Sequence, residues 1–85
     1  MTESEILERL TTVFRAIFDD PKLVISDATT ADDVADWDSI SHVNLIAAVE
    51  KSFNVSFKIK EIKSLANVGD FVQLIATRVN AKGPG

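Results

Sequence analysis

The sequence predicts an all-α fold: a four-helix bundle of three main helices plus one short helix, with a long loop between the first and the second. Apolar residues recur at helical spacing in three separate stretches, each the length of an ordinary helix. Strong stop signals, Asp19-Asp20-Pro21 and Asn54, separate those stretches. The one alternating segment, Val55-Ser56-Phe57, has no neighbouring run to pair with as a sheet and reads as a tight linker. With 85 residues and no cysteine, the chain has room for one domain held by helix packing, without a disulfide framework or a thiolate metal site. The domain is expected over residues 1–82, followed by a tail at 83–85.

The first helix carries Ile6, Leu7, Leu10, Val13, Phe14, Ile17 and Phe18 as its apolar stripe, and Thr2 with Glu5 makes a Thr-x-x-Glu capping box at its start. Asp19-Asp20-Pro21 stops it, because proline disfavours helical geometry in the residue before it and lacks an amide donor. From Pro21 to Asp38 the periodicity is lost among Ser, Thr, Ala and Asp, which predicts a long loop with one short turn, tacked to the core by Leu23, Val24 and Ile25. A second helix is predicted over Ser39 to Phe53, with Val43, Ile46, Val49 and Phe53 on one face and Ile40 and Leu45 beside it. Asn54 terminates it. Ile59, Ile62 and Leu65 suggest a short helical segment over Lys58 to Leu65. The last helix is capped by Asn67, has Asp70 at the positive end of its dipole, and buries Val68, Phe71, Val72, Ile75 and Val79.

Charge narrows the class of partner. Residues 1–38 hold ten acids and three bases, and residues 39–85 hold three acids and six bases, for a net charge of −4. Acidic balance without a basic, aromatic-interleaved patch argues against nucleic acid and favours basic protein surfaces. No apolar run approaches the ~18 residues of a membrane span, and the acidic N-terminus does not read as a signal peptide, so a cytoplasmic protein is expected.

Asp36-Trp37-Asp38-Ser39-Ile40, opening an amphipathic helix after an acidic loop, is the most specific stretch. It resembles the acyl carrier protein family, whose hallmark is Asp-Ser-Leu at the start of the second helix. The resemblance extends through Val43-x-Leu45-Ile46, Glu50, Phe53-x-Val55 and Asn67-Val68, which fall at the family's spacing. Ile40 stands where leucine is usual, and Ala35-Asp36-Trp37 stands where many fatty-acid carriers have a glycine-led approach.

The resemblance implies a non-enzymatic carrier. It implies that a phosphopantetheinyl transferase places 4'-phosphopantetheine from coenzyme A on Ser39, with Asp38 helping the transferase and its Mg²⁺ engage the serine. It implies partner recognition by Asp36, Trp37, Ile40 and His42, and an acyl-chain pocket among Val43, Ile46, Phe57, Ile62, Leu65, Phe71 and Ile75, which are in the first place core residues. The implied partners are acyl-loading and acyl-processing enzymes; a monomer is expected from the residues themselves, because the apolar stripes are needed inside. Fatty-acid carriers have a strongly acidic second helix, whereas this one offers only Glu50 after Asp38 and is followed by Lys58, Lys60 and Lys63. That points to a dedicated lipid or secondary-metabolite pathway. A peptidyl, D-alanyl or aryl carrier shares the same features. An unmodified helical interaction module is the reading from a different class.

Plainer readings stand beside these. Ser39 and Asp38 each suit a helix N-cap. Trp37 suits a core plug, and His42 a solvated surface residue. Asp38, Ser39 and His42 suggest a hydrolase, but no Gly-x-Ser-x-Gly elbow accompanies them. The acidic loop fails as an EF-hand, since Thr29 and Ala31 occupy the third and fifth positions from Asp27. No metal site is expected.

Overall fold

In a computed structural model, which describes residues 2–34 and 37–82 with residues 39, 81 and 82 described by their backbone alone, the capping box at Thr2 opens the first helix. The Thr2 hydroxyl accepts the Glu5 amide at 3.1 Å and the Glu5 carboxylate accepts the Thr2 amide at 2.9 Å. Helix α1 then spans Glu3–Ile17 and fully buries Ile6, Leu10 and Phe14, one residue per turn along a single stripe. It stops before Pro21 can act. Asp19 takes a left-handed conformation at φ 50°, and the Asp20 amide closes back onto the Arg15 carbonyl at 3.0 Å.

The loop that follows contains one 3-10 turn, Ala31–Asp33, and is fastened at several places. Ile25 and Val34 are buried, Arg15 donates to the Leu23 carbonyl at 2.7 Å, and Val24 points outward. Helix α2 spans Ser39–Phe53 and ends at Asn54 in the left-handed conformation, with the Val55 amide bonded to the Glu50 carbonyl at 3.0 Å. Helix α3 spans only Ile59–Lys63, shorter than the Lys58 to Leu65 expected, because the Ser64 hydroxyl bonds the Glu61 carbonyl and ends the turn there. Helix α4 spans Val68–Lys82.

The start of α4 ties the loop to the bundle. The first backbone donors of a helix have no partner within it. Here the Val68 amide goes to the Thr29 carbonyl and the Gly69 amide to the Asp27 carbonyl, both at 2.8 Å, while Asn67 caps the Asp70 amide at 2.8 Å. Two loop carbonyls and one side chain therefore satisfy three successive amides.

One core joins α1, α2 and α4 through Ile6, Leu10, Phe14, Leu45, Ile46, Val49, Phe53, Val68, Phe71, Val72 and Ile75, with Ile25 and Val55 from the connections. Val43 is a correction. Expected inside, it is 67% exposed, and Ile40 is 76% exposed. Helix α2 is apolar around much of its circumference, so periodicity alone does not select the buried arc; packing on α1 selects Leu45, Ile46, Val49 and Phe53. Helix α3 reaches the bundle through Ile62, packed against the core, and through polar ties. Arg78 of α4 donates to the Ser56 carbonyl at 3.2 Å and forms an ion pair with Glu61, and the Phe57 amide donates to the Glu50 carboxylate at 2.9 Å.

Candidate functional site at the start of the second helix

Asp38 occupies the N-cap of α2 with extended backbone, and Ser39 is the first residue within the helix. One Asp38 carboxylate oxygen accepts the Ile40 amide at 3.0 Å and the Ser41 amide at 2.9 Å, and the Ser41 hydroxyl accepts the Asp38 amide at 2.8 Å. Of the two caps the sequence allows, the structure uses Asp38, so Ser39 does not serve as the N-cap. Hydrogen bonds from the Ser41 amide and hydroxyl, then from Ile40, hold the Asp38 carboxyl below the usual carboxylate range.

Beside this cap lies an aromatic cluster. Trp37 packs edge-on against Phe14 at 5.1 Å, contacts Phe18 at 6.4 Å, and stacks on His42 at 6.0 Å with the ring planes 24° apart. The Trp37 indole N–H donates to His42 Nδ1 at 3.0 Å. His42 was expected on a solvated surface; instead it is half-buried, because one helical turn after Asp38 places it over the indole. Burial lowers its proton affinity, and Nδ1 must be unprotonated to accept the indole bond. That occupied nitrogen also leaves the hydrolase arrangement without support.

A cleft of about 350 Å³ opens there, lined by Ala31, Trp37, Asp38, His42, Leu65, Ala66, Asn67 and Phe71. Of the residues singled out from sequence, Trp37, Asp38, His42, Leu65 and Phe71 meet at it. Ile46 and Ile75 sit in the core, while Phe57, 6.1 Å from Phe71, and Ile62 are half-buried against it. Ile40 and Val43 face outward. Asp36 lies outside the described residues. Sequence reading missed Ala31 and Ala66 as lining residues and took Asn67 only as a cap; small residues beside a cap carry no signal until the 3-10 turn and α4 converge. Among the described residues, no group of three or more His, Asp or Glu side chains is arranged to hold a metal ion.

No protein-family model matches the chain. It is 34% identical over 82 residues to an acyl carrier protein of Thermosynechococcus vestitus, covering 95% of this chain and all of that one. The chain belongs to the acyl carrier protein family. Acyl carrier protein 2 of Ralstonia nicotianae matches equally, at 34% over 82 residues, 95% of this chain and 100% of the relative. The solution structure of holo acyl carrier protein from Geobacter metallireducens superposes with a TM-score of 0.86 and 39% identity, over 91% of this chain and 88% of that one. An acyl carrier protein is a carrier and not an enzyme, and it works by interacting with transferases and acyl-processing enzymes. Among the described residues, no helix is long and apolar enough to cross a membrane.

Proposed function

We propose that Ser39 bears a 4'-phosphopantetheine arm and that the chain presents acyl groups, held as thioesters on that arm, to partner enzymes. The observation that supports this reading is the position of Ser39 at the first turn of α2, next to Asp38, which caps the helix and lines the cleft. The serine oxygen would displace adenosine 3',5'-bisphosphate from coenzyme A and become a phosphodiester, its proton passing to a base on the transferase. The positive end of the α2 dipole favours that negative charge. The group, when bound, supplies the terminal thiol; the residues present fit it, since the cleft sets Trp37, Leu65 and Phe71 beside the polar edges of Asn67 and His42. In this reading Asp38 positions the serine by fixing the first turn of α2 and assists the transferase with its Mg²⁺. Trp37, Ile40, His42 and Asp36 contribute to partner recognition, and Leu65 and Phe71 are the acyl-pocket residues that line the cleft.

A dedicated lipid or secondary-metabolite pathway, rather than general fatty-acid synthesis, is the finer reading. It is supported by the near-neutral α2, where Glu50 is turned onto the Phe57 amide and balanced by exposed Lys51. The protein is proposed to act as a cytoplasmic monomer, with residues 1–82 as the carrier domain. The test is intact-protein mass after incubation with coenzyme A, Mg²⁺ and a promiscuous phosphopantetheinyl transferase, with Ser39→Ala in parallel. Gain of one phosphopantetheine by the wild type alone is the expected result; no gain by a folded sample would return the chain to the unmodified interaction module.

A further inference from the structure

The cleft at the start of α2 carries two uncharged polar side chains, His42 and Asn67, and what each still offers is a donor. His42 accepts the Trp37 indole N–H on Nδ1 at 3.0 Å, and burial favours its neutral ring, so the ring proton is on Nε2. Asn67 accepts the Asp70 amide on Oδ1 at 2.8 Å, which leaves the hydrogens of Nδ2 to give. Among the described residues, neither His42 Nε2 nor Asn67 Nδ2 has a protein partner. The apolar walls, Ala31, Trp37, Leu65, Ala66 and Phe71, supply no side-chain acceptor.

Charge and size restrict the occupant further. The exposed Asp38 carboxylate lines the cleft, and the Asp70 carboxylate is held at the Ala66 wall by the Ala66 amide at 3.0 Å. No lysine or arginine is among the lining residues, so an anion there meets like charge without a cation to offset it. The volume is about 350 Å³, and of the expected acyl-pocket residues the cleft reaches Leu65 and Phe71, whereas Ile46 and Ile75 are packed in the core.

We propose that this cleft selects a short, uncharged acyl group bearing a hydroxy or oxo oxygen on carbon 2 or 3, read by His42 Nε2–H and Asn67 Nδ2–H. The assignment rests on the carrier reading, in which the acyl group hangs on an arm attached one residue after Asp38 and one turn before His42. That tether keeps the group at high local concentration around the cleft. The thioester carbonyl accepts from one donor and the added oxygen from the other. A plain alkanoyl group covers the apolar walls but leaves one donor covered and unmatched. A malonyl group has the oxygens but brings its carboxylate against Asp38 and Asp70.

In the test, a promiscuous phosphopantetheinyl transferase loads the full chain from coenzyme A or from its propionyl, lactyl, butyryl, 3-hydroxybutyryl and malonyl thioesters, and intact mass scores each loading. The readouts are the Trp37 indole N–H resonance and the rate of thioester cleavage by hydroxylamine, divided by the rate for the same free coenzyme A thioester. The better protected of the lactyl and 3-hydroxybutyryl arms is expected to be cleaved about threefold more slowly than its plain counterpart, as one added hydrogen bond gives. It also shifts the indole resonance, while the malonyl arm behaves as the plain ones do. The preference is expected to vanish in His42→Phe, which keeps a ring but no donor, and in Asn67→Asp, which keeps the cap on the Asp70 amide but no amide hydrogens. The thermal midpoint of each variant confirms that it is folded. Equal protection of the hydroxyacyl and plain arms, equal protection of the malonyl and hydroxyacyl arms, or a preference retained in either variant overturns the proposal and leaves the carrier reading standing. An indole shift already complete with the unacylated arm overturns it as well, by giving the cleft to the arm itself. No mass gain on the wild type refutes the carrier reading, and this assignment with it.

Discussion

At the scale of single residues, Asp38 and His42 link protonation to structure in the same direction. The Asp38, Glu5 and Glu61 carboxyls are all held below their ordinary values, led in each case by a backbone amide donated to the ionised form. Groups with depressed folded values stabilise above their unfolded values, roughly 3.9 for Asp and 4.3 for Glu, and lose that contribution as pH falls through the folded values. The thermal midpoint is therefore expected to fall as pH drops below about 4, and Asp38→Asn, which keeps an acceptor but cannot titrate, to shallow that fall in a calorimetric pH series. His42 acts in a higher window. Because burial lowers its folded value, its contribution is complete above the ordinary value of about 6.5 and declines as pH falls from there, when protonation removes the acceptor for Trp37. Trp37 is the single tryptophan, so its emission reports the change directly. A fluorescence titration should show a transition below about pH 6.5 that is absent in His42→Gln; a transition that survives the substitution would place its origin elsewhere.

At the scale of an element, α2 has two apolar arcs with different duties. Leu45 is fully buried among α1 and α4, whereas Val43, two positions earlier, is two-thirds exposed. Leu45→Ala should cost about 2–5 kcal/mol, the cost of an emptied core site. Val43→Ala should change stability by no more than about 0.5 kcal/mol, as exposed substitutions do. Urea unfolding of the two variants measures both, and equal losses would mean that Val43 is packed after all. The C-terminus of α2 follows a local rule instead. Asn54 sits at φ 55° and ψ 51°, where a β-branched residue is strained, so Asn54→Val should lower the urea midpoint.

At the scale of the whole molecule, the long loop holds its position because α4 needs it. Gly69 marks the join: a Cβ there would meet the Asp27 carbonyl oxygen at 3.0 Å and the Asn67 side chain at 3.2 Å. In an isolated helix Gly69→Ala would gain up to about 1 kcal/mol. In this fold the nearest atom is backbone and resists displacement, and the two amide bonds to Asp27 and Thr29, each contributing about 0.5–1.5 kcal/mol, are disturbed together. The net effect should be destabilising, with faster proteolysis in the loop around Asp27 than in wild type. A more stable Gly69→Ala protein would show that the loop yields without cost.

What the sequence determined by itself was local in origin. The Thr2–Glu5 box, the left-handed Asn54, the Asn67 cap and the helical periodicities depend on neighbours within four residues, so they were legible from the residues alone, and with them the helices and the family likeness around Asp38-Ser39-Ile40. Tertiary packing decided the rest. It chose which arc of α2 goes inside, bent Trp37 and His42 into one hydrogen-bonded pair, brought Ala31, Leu65 and Asn67 to the same cleft, and joined Glu50 to the Phe57 amide and Glu61 to Arg78. The physical reason is separation along the chain. Gly69 to Asp27 or Arg78 to Ser56 joins groups that no local pattern relates, and only the geometry of the assembled bundle makes one amide or one charge the partner of another.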